Sequence, residues 1–274
     1  MVLDFSGKTK VMGILNVTPD SFSDGGRFND VGSAVEQATR MIAEGADIID
    51  VGGESSRPGA KEVSASEEWM RVKPVLEEIK ELGVPISIDS YKPEVAEKAL
   101  DLGASIVNDI SGLRNEKMME LVSERGCPVA LMHMKGTPRN MQENPTYGDV
   151  VSEIKSFFSE RIKSAEDAGI QRKNIILDPG IGFGKTVKHN FEIIKRLDEF
   201  KELGCPILLG PSRKSFIGEV LDLPADERLE GTLAVLAVAV EKGVDIVRVH
   251  DVAESVRSVR MTEAILEGIR YEKK

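Results

Sequence analysis

Ile175-Ile-Leu-Asp-Pro-Gly-Ile-Gly-Phe-Gly-Lys185 is the stretch from which the fold of this 274-residue chain is read. Three apolar residues mark a buried strand, and Asp178 stands where that strand ends. Pro179 biases Asp178 towards an extended backbone, and the glycines that follow let the chain turn closely over something. A carboxylate at the C-terminal tip of a strand, followed by a Gly-rich turn and a helix, is what an α/β enzyme places beside its ligand. Gly184-Lys185-Thr186 matches the tail of a Walker-type phosphate loop, but that motif needs a glycine at 179, where the chain has proline. Gly180, Gly182 and Gly184 have the wrong spacing for the dinucleotide fingerprint. Neither nucleotide loop is present. Taken alone, the stretch fits an ordinary strand-to-helix connection equally well; the recurrence of its pattern decides.

Two phrases repeat along the chain. Gly-X-Pro leads into an apolar run in Gly83-Val-Pro-Ile-Ser-Ile-Asp89, Gly126-Cys-Pro-Val-Ala-Leu-Met-His133 and Gly204-Cys-Pro-Ile-Leu-Leu-Gly210. Gly-small-polar-Ile does so in Gly45-Ala-Asp-Ile-Ile-Asp50, Gly103-Ala-Ser-Ile-Val-Asn108 and Gly243-Val-Asp-Ile-Val-Arg248. In both, the glycine reads as a helix C-cap residue and the apolar run as a fully buried parallel strand. With Val11–Asn16 and Ile175–Asp178 the count is eight strands. Between them lie helical patterns such as Val35/Ala38/Ile42 and Ile154/Phe157/Phe158/Ile162/Ala165, with apolar residues three and four apart. Alternating β and α units of this number predict an α/β protein, a (β/α)8 TIM barrel forming one domain over residues 1–274. A doubly wound open sheet is the competing fold. Leu3–Lys8, within residues 1–8, is expected to form a small hairpin that plugs the barrel floor. Leu233–Val240 is apolar on nearly all sides; an outer barrel helix needs one buried face, so a second predicts a homodimer contact.

Composition narrows the function. No apolar run reaches the length of a membrane span, and the start Met-Val-Leu-Asp carries no export signal. Cys127 and Cys205, each in Gly-Cys-Pro, read as buried reduced thiols, so the expected location is cytoplasmic. No Cys/His cluster has zinc spacing. A net charge of −10 argues against nucleic acid or an anionic membrane as partner. It does not exclude a small anion, because charges beyond about 8 Å are screened at physiological ionic strength.

In a barrel the C-terminal tips of all strands point at one mouth. The tips here are Asn16, Glu54/Arg57, Asp89, Asn108/Asp109, His133, Asp178, Ser212/Arg213/Lys214 and Arg248/His250/Asp251. Any one of these serves equally well as a capping or solvated residue; polarity at all eight does not read as accident. Arg57, Arg213, Lys214, Arg248 and His250 offer cationic donors for an anion. Asp89, Asn108 and Asp178 suit a heterocycle with amide-like N–H and C=O edges. Met12-Gly-Ile-Leu-Asn-Val-Thr-Pro-Asp-Ser-Phe-Ser-Asp-Gly-Gly26 reads as a lid loop carrying Asp20 and Phe22, and Gly52-Gly-Glu-Ser-Ser-Arg-Pro-Gly59 is similar in kind.

Met12–Gly26, Gly52–Gly59, Asp89-Ser90, Asn108-Asp109, Leu177–Lys185, Ser212-Arg-Lys-Ser215 and Arg248-Val-His250 together resemble the dihydropteroate synthases, a pterin-binding family, in order over essentially the whole chain. The resemblance implies a homodimeric folate-pathway transferase that sulfonamides target. Such an enzyme joins 4-aminobenzoate to a 7,8-dihydropterin carrying a methyl diphosphate, giving dihydropteroate and pyrophosphate. It also implies that Asp89, Asn108, Asp178, Lys214 and Arg248 hold the pterin. Asn16, Arg57, Arg248 and His250 would take the diphosphate, with Mg2+ on Asn16. Phe22, Ser56, Pro58 and Ser215 would form the 4-aminobenzoate pocket, and Asp20 would stabilise a pterin methylene cation or order its loop. Asp20, Phe22, Lys214 and Arg248 are the implied catalytic set. One departure is Ser56, where the family usually has threonine; the hydroxyl is kept and a methyl lost. The rival readings are a methyltetrahydrofolate:corrinoid methyltransferase, a non-catalytic pterin-binding module, and an unrelated phosphate-binding barrel with Lys214 as a Schiff-base lysine.

Overall fold

The computed structural model describes residues 7–18, 26–56 and 59–268. Residues 3–6 of the expected hairpin lie outside these, and Gly7 and Lys8 form a bend. Eight parallel strands alternate with helices: β1 (Lys10–Asn16), α1 (Gly26–Ala43), β2 (Ile48–Gly52), α2 (Ala65–Ile79), β3 (Ile86–Asp89), α3 (Pro93–Asp101), β4 (Ile106–Asp109) and α4 (Glu116–Arg125). They continue with β5 (Val129–Met132), α5 (Val150–Asp167), β6 (Ile175–Asp178), α6 (Val187–Lys195), β7 (Leu208–Leu209), α7 (Ser215–Leu221), α8 (Leu229–Glu241), β8 (Ile246–Val249) and α9 (Val252–Glu267). The hydrogen-bonded order is β6-β5-β4-β3-β2-β1-β8-β7. A bridge between Leu177 and Ile207 joins its two ends into a (β/α)8 barrel.

The repeated phrases do what their chemistry predicts. All six glycines that open them have positive φ, and Gly126 is a left-handed cap whose N–H returns to Val122 and Ser123. The apolar run after Gly204 yields only two strand residues. Pro206 has no N–H to pair, and the Ile207 N–H goes to the Asp245 carboxylate at 2.8 Å. The helical patterns hold: Ile154, Phe158, Ile162 and Ala165 of α5 are buried, and Ala38 is buried between the half-buried Val35 and Ile42. On α8, Leu236, Ala239 and Val240 face the barrel. Its other side continues an apolar surface with α6, where Val238 is 42% exposed and Phe191 46%.

Strand periodicity positions the site. Met12, Ile48, Ile106, Ala130, Ile176, Leu208 and Ile246 point inward and fill the lumen, each of these isoleucine, leucine and methionine side chains contributing about 1.5–3 kcal/mol. Successive inward positions are two residues apart, so the next layer towards the mouth is Ile14, Asp50, Asn108, Met132, Asp178, Gly210 and Arg248. Half of a barrel's interior is thus an apolar plug, and the layer above it is charged. That change of character marks the floor of a pocket.

Candidate active site

The loop after β6 is locked before anything binds. Asp178 Oδ1 accepts from the Gly180 N–H at 2.7 Å, and Asn190 Oδ1 accepts from that of Gly182 at 2.7 Å. Four consecutive carbonyls are taken by side chains: Ile181 by Lys214, Gly182 by Gln142 at 2.7 Å, Phe183 by Lys185 at 2.9 Å and Gly184 by Tyr147 at 2.8 Å. Gly180 has φ +65°, and a Cβ there would lie 2.0 Å from the His133 carbonyl oxygen, so only glycine fits. Lys185 turns inward, to His133 Nδ1 at 3.1 Å and the His133 carbonyl at 3.3 Å. Burial holds the Lys185 ammonium well below its ordinary range, and burial, then Lys185, pushes His133 down to about 2. The residue that mimicked a phosphate-loop lysine is a strut, and His133 is buried beneath the mouth.

Lys214 is aimed by the loop after β7. Arg213 takes φ +57°, a conformation costing roughly 1–2 kcal/mol. Its N–H is held by Thr232 Oγ1 at 3.1 Å and its carbonyl by Arg228 at 3.0 Å. The Arg213 guanidinium pairs with Asp251, with Nε at 2.9 Å. Among the cations offered for an anion, Arg213 is therefore already neutralised. Lys214 Nζ lies 4.6 Å from the centre of the Phe183 ring. Burial pushes the Lys214 ammonium down to about 8, partly offset by Asp178. Burial raises Asp178 in turn, countered first by Lys214.

Opposite this pair, Arg248 bridges two carboxylates, Nε to Asp50 Oδ2 and Nη2 to Asp89 Oδ2, both at 2.6 Å. Asn108 Nδ2 donates to the same Asp50 oxygen at 3.0 Å. Burial pushes Asp89 up to about 7 against the pull of Arg248, with Asp50 adding to the rise. For Arg248, burial works against the charge, and Asp50 and Asp89 more than offset it. His250 Nδ1 lies 2.9 Å from Ser212 Oγ, which also accepts from the His250 N–H at 3.1 Å. Asn16, half-buried, ends β1 in register with Gly52. Ser56 is half-buried and Ser215 exposed. Asp20, Phe22, Arg57 and Pro58 lie outside the described residues.

The model of the family described as "Pterin binding enzyme" matches residues 12–250. The chain is 51% identical over 266 residues to the dihydropteroate synthase of Escherichia coli (strain K12), covering 96% of this chain and 94% of the relative. The chain belongs to the dihydropteroate synthase family of pterin-binding enzymes. A dihydropteroate synthase from Clostridium difficile, solved in the presence of pteroic acid, superposes with TM-score 0.91 at 48% identity, over 96% of this chain and 98% of the other. The Yersinia pestis dihydropteroate synthase, solved with a sulfonamide drug complex, does so with TM-score 0.91 at 44% identity, over 97% and 96%.

Of the residues that the dihydropteroate synthase resemblance assigns to the pterin, Asp89, Asn108 and Arg248 meet through Asp50 and the Arg248 bridge. Asp178 and Lys214 form the facing pair. Asp50 escaped the sequence reading, which stopped at strand tips. Its signal was an acid two residues beyond an inward isoleucine, in Ile48-Ile-Asp50. The Asp50 side chain is fully buried, and its Oδ1 has no hydrogen-bond partner among the described residues.

Proposed function

We propose that this chain catalyses the dihydropteroate synthase reaction, condensing 4-aminobenzoate with (7,8-dihydropterin-6-yl)methyl diphosphate to give 7,8-dihydropteroate and pyrophosphate. The observation that carries this reading is one polar layer above an apolar plug. Asp50, Asp89, Asn108 and Asp178 supply acceptors, and Lys214 and Arg248 supply donors, around one mouth. Asp178 accepts from the paired ring N–H and 2-amino donors, Lys214 donates to the ring carbonyl, and Arg248 covers the ring face. Groups buried this way reject a ring lacking the matching edge.

The C–O bond to the diphosphate breaks with its electron pair leaving on pyrophosphate. The methylene cation is stabilised by the electron-rich ring; the amine then forms the C–N bond and releases a proton to solvent. No strong protein nucleophile is needed. Catalysis comes from positioning and from charge placed where the leaving group develops it. Arg57, Arg248, His250 and Asn16 take the diphosphate in this reading. Asp20 steadies the cation or its loop, and Phe22, Ser56, Pro58 and Ser215 hold 4-aminobenzoate.

Among the described residues no three His, Cys, Asp or Glu side chains gather to cage a metal ion. A single amide oxygen at Asn16 fits Mg2+, which takes most of its ligands from phosphate and water. Bound there, Mg2+ would neutralise charge on the leaving group. The expected result of a coupled assay is pyrophosphate release only when 4-aminobenzoate is present, and dependent on Mg2+. Release without the amine would refute the reading. A homodimer through the apolar surface of α6 and α8, sulfonamide susceptibility and a cytoplasmic location, in keeping with the free buried Cys127 and Cys205, belong to the same proposal. No described helix is long and apolar enough to cross a membrane.

Lys214 adds a pH signature. Its folded pKa is depressed to about 8, so the charge is present below that pH and lost above it. Pterin affinity should hold from pH 6.5 to 7.5 and fall by roughly tenfold towards pH 9.5, the worth of about one charge-assisted hydrogen bond. Lys214→Arg, which cannot lose its charge, should flatten the profile relative to wild type. Calorimetry with a pterin lacking the diphosphate checks this, and the same fall in both proteins would assign it to the ligand.

A further inference from the structure

A second buried ionic cluster lies behind the loop that follows β2, and the proposed mechanism makes no use of it. Lys92, in the turn between β3 and α3, sends its ammonium to Glu54 and to Glu68. Lys92 and Glu68 are 8% and 1% exposed. Tyr91 donates its hydroxyl to the same Glu54 carboxylate at 3.1 and 3.3 Å, and the Lys92 ammonium sits 4.7 Å from the centre of the Tyr91 ring. Glu68 Oε1 is buried without a partner among the described residues, and there one ammonium balances two carboxylates.

The cluster is rigid on three sides. Lys92 precedes Pro93, which opens α3 and holds Lys92 extended, while Ser90 Oγ accepts from the Lys92 N–H at 3.2 Å. Glu68 belongs to α2. Gly53 is pressed against that helix: its carbonyl accepts from Arg71 at 2.8 Å, and a Cβ there would lie 2.8 Å from Val72 and 3.0 Å from Glu68. Only Glu54 belongs to the loop itself, and a narrow cleft is shared by Glu54, Ser55, Ser56, Tyr91 and Asp89.

We propose that Lys92 is a positioning residue: anchored by Glu68, it clamps Glu54 and so sets the Ser55–Ser56 turn at the height of Asp89, where the amine substrate enters. Asp50 and Asp89 of the ring pocket lie on the two strands that lead into the clamp, but Arg248 holds both of them, so the clamp acts on the loop after β2 and serves the second substrate. This rests on the proposed reaction for its kinetic readout alone; hydrogen exchange reads the clamp without it.

In Lys92→Met, the KM for 4-aminobenzoate should rise at least tenfold while the affinity for a pterin lacking the diphosphate stays within threefold. Backbone exchange over residues 53–56 should quicken at least tenfold, with β2 unchanged. Because two carboxylates left together threaten folding, the same measurements are made on Lys92→Met/Glu68→Gln, which removes the surplus charge and should keep both defects. Glu54→Gln should raise KM similarly, and combining it with Lys92→Met should add less than threefold. Additive effects in that pair, or unchanged exchange over 53–56, would overturn the clamp. No pyrophosphate release by the wild type, together with the exchange changes in the variants, would overturn the proposed reaction and leave the clamp standing.

Discussion

Asp178→Asn should lose pterin binding by a hundredfold or more, about 3 kcal/mol, while the protein stays folded. Asp178 Oδ1 is committed to the Gly180 N–H at 2.7 Å. If the asparagine keeps that bond through its carbonyl oxygen, its NH2 group faces the ring's own N–H donors. Two charge-assisted bonds are replaced by opposed donors, each loss being worth about 1.5–3 kcal/mol. Stability should move the other way. Burial raises the Asp178 pKa in the fold, so its contribution to stability is full below the ordinary carboxylate range and lost as pH rises through the folded value. At pH 7 the ionised group opposes folding, and the neutral amide does not. The variant should melt at or above the wild-type temperature in a calorimetric scan. Pterin affinity within threefold of wild type would remove Asp178 from the ring-binding set.

Arg248→Gln should cost both stability and activity. The guanidinium is the shared partner of Asp50 and Asp89, and removing one member of a buried ion pair costs about 3–5 kcal/mol, because the remaining charge is stranded. The loss carries a pH label. Asp89 already sits near 7 with Arg248 beside it, and without Arg248 it binds a proton more readily. Groups raised in the fold contribute stability at low pH and lose it as pH rises. The deficit in urea unfolding should therefore be larger at pH 8 than at pH 5.5. A deficit below about 1 kcal/mol, or one independent of pH, would mean that water already screens these carboxylates.

Much of the barrel was legible because its signals are local. A glycine that ends a helix, a proline or small residue, and a buried run make a unit readable without a partner. The strand-tip rule then gathered Asp89, Asn108, Asp178, Lys214 and Arg248 into one mouth across 160 positions of sequence. Asp50 was hidden because it lies one pleat below the tip, inside a run that reads as apolar; only a count from Ile48 reveals its direction. Lys92 and Glu68 were illegible for another reason. A lysine and a glutamate on exposed-looking segments carry no sign of burial, and their pairing depends on how α2 leans on the loop at Gly53. The division of tips into anion-binding cations and ring-binding acids was too clean. Arg248 bonds to the acids, and Arg213 is paired with its own neighbour on the rim, Asp251. The short β7 also follows from non-local pairing, as Asp245 takes the N–H that a longer strand would have used.

The four captured carbonyls of Ile181 to Gly184 have a consequence for selectivity. Gln142 and Tyr147 reach them from the loop after β5, Lys214 from the loop after β7 and Lys185 from the end of the turn itself, so displacing that turn against its neighbours breaks three of these bonds together. A bicycle whose donor edge is shifted by a bond length meets a template that will not follow it. Whatever adaptability the protein has towards unfamiliar substrates must reside on the opposite rim.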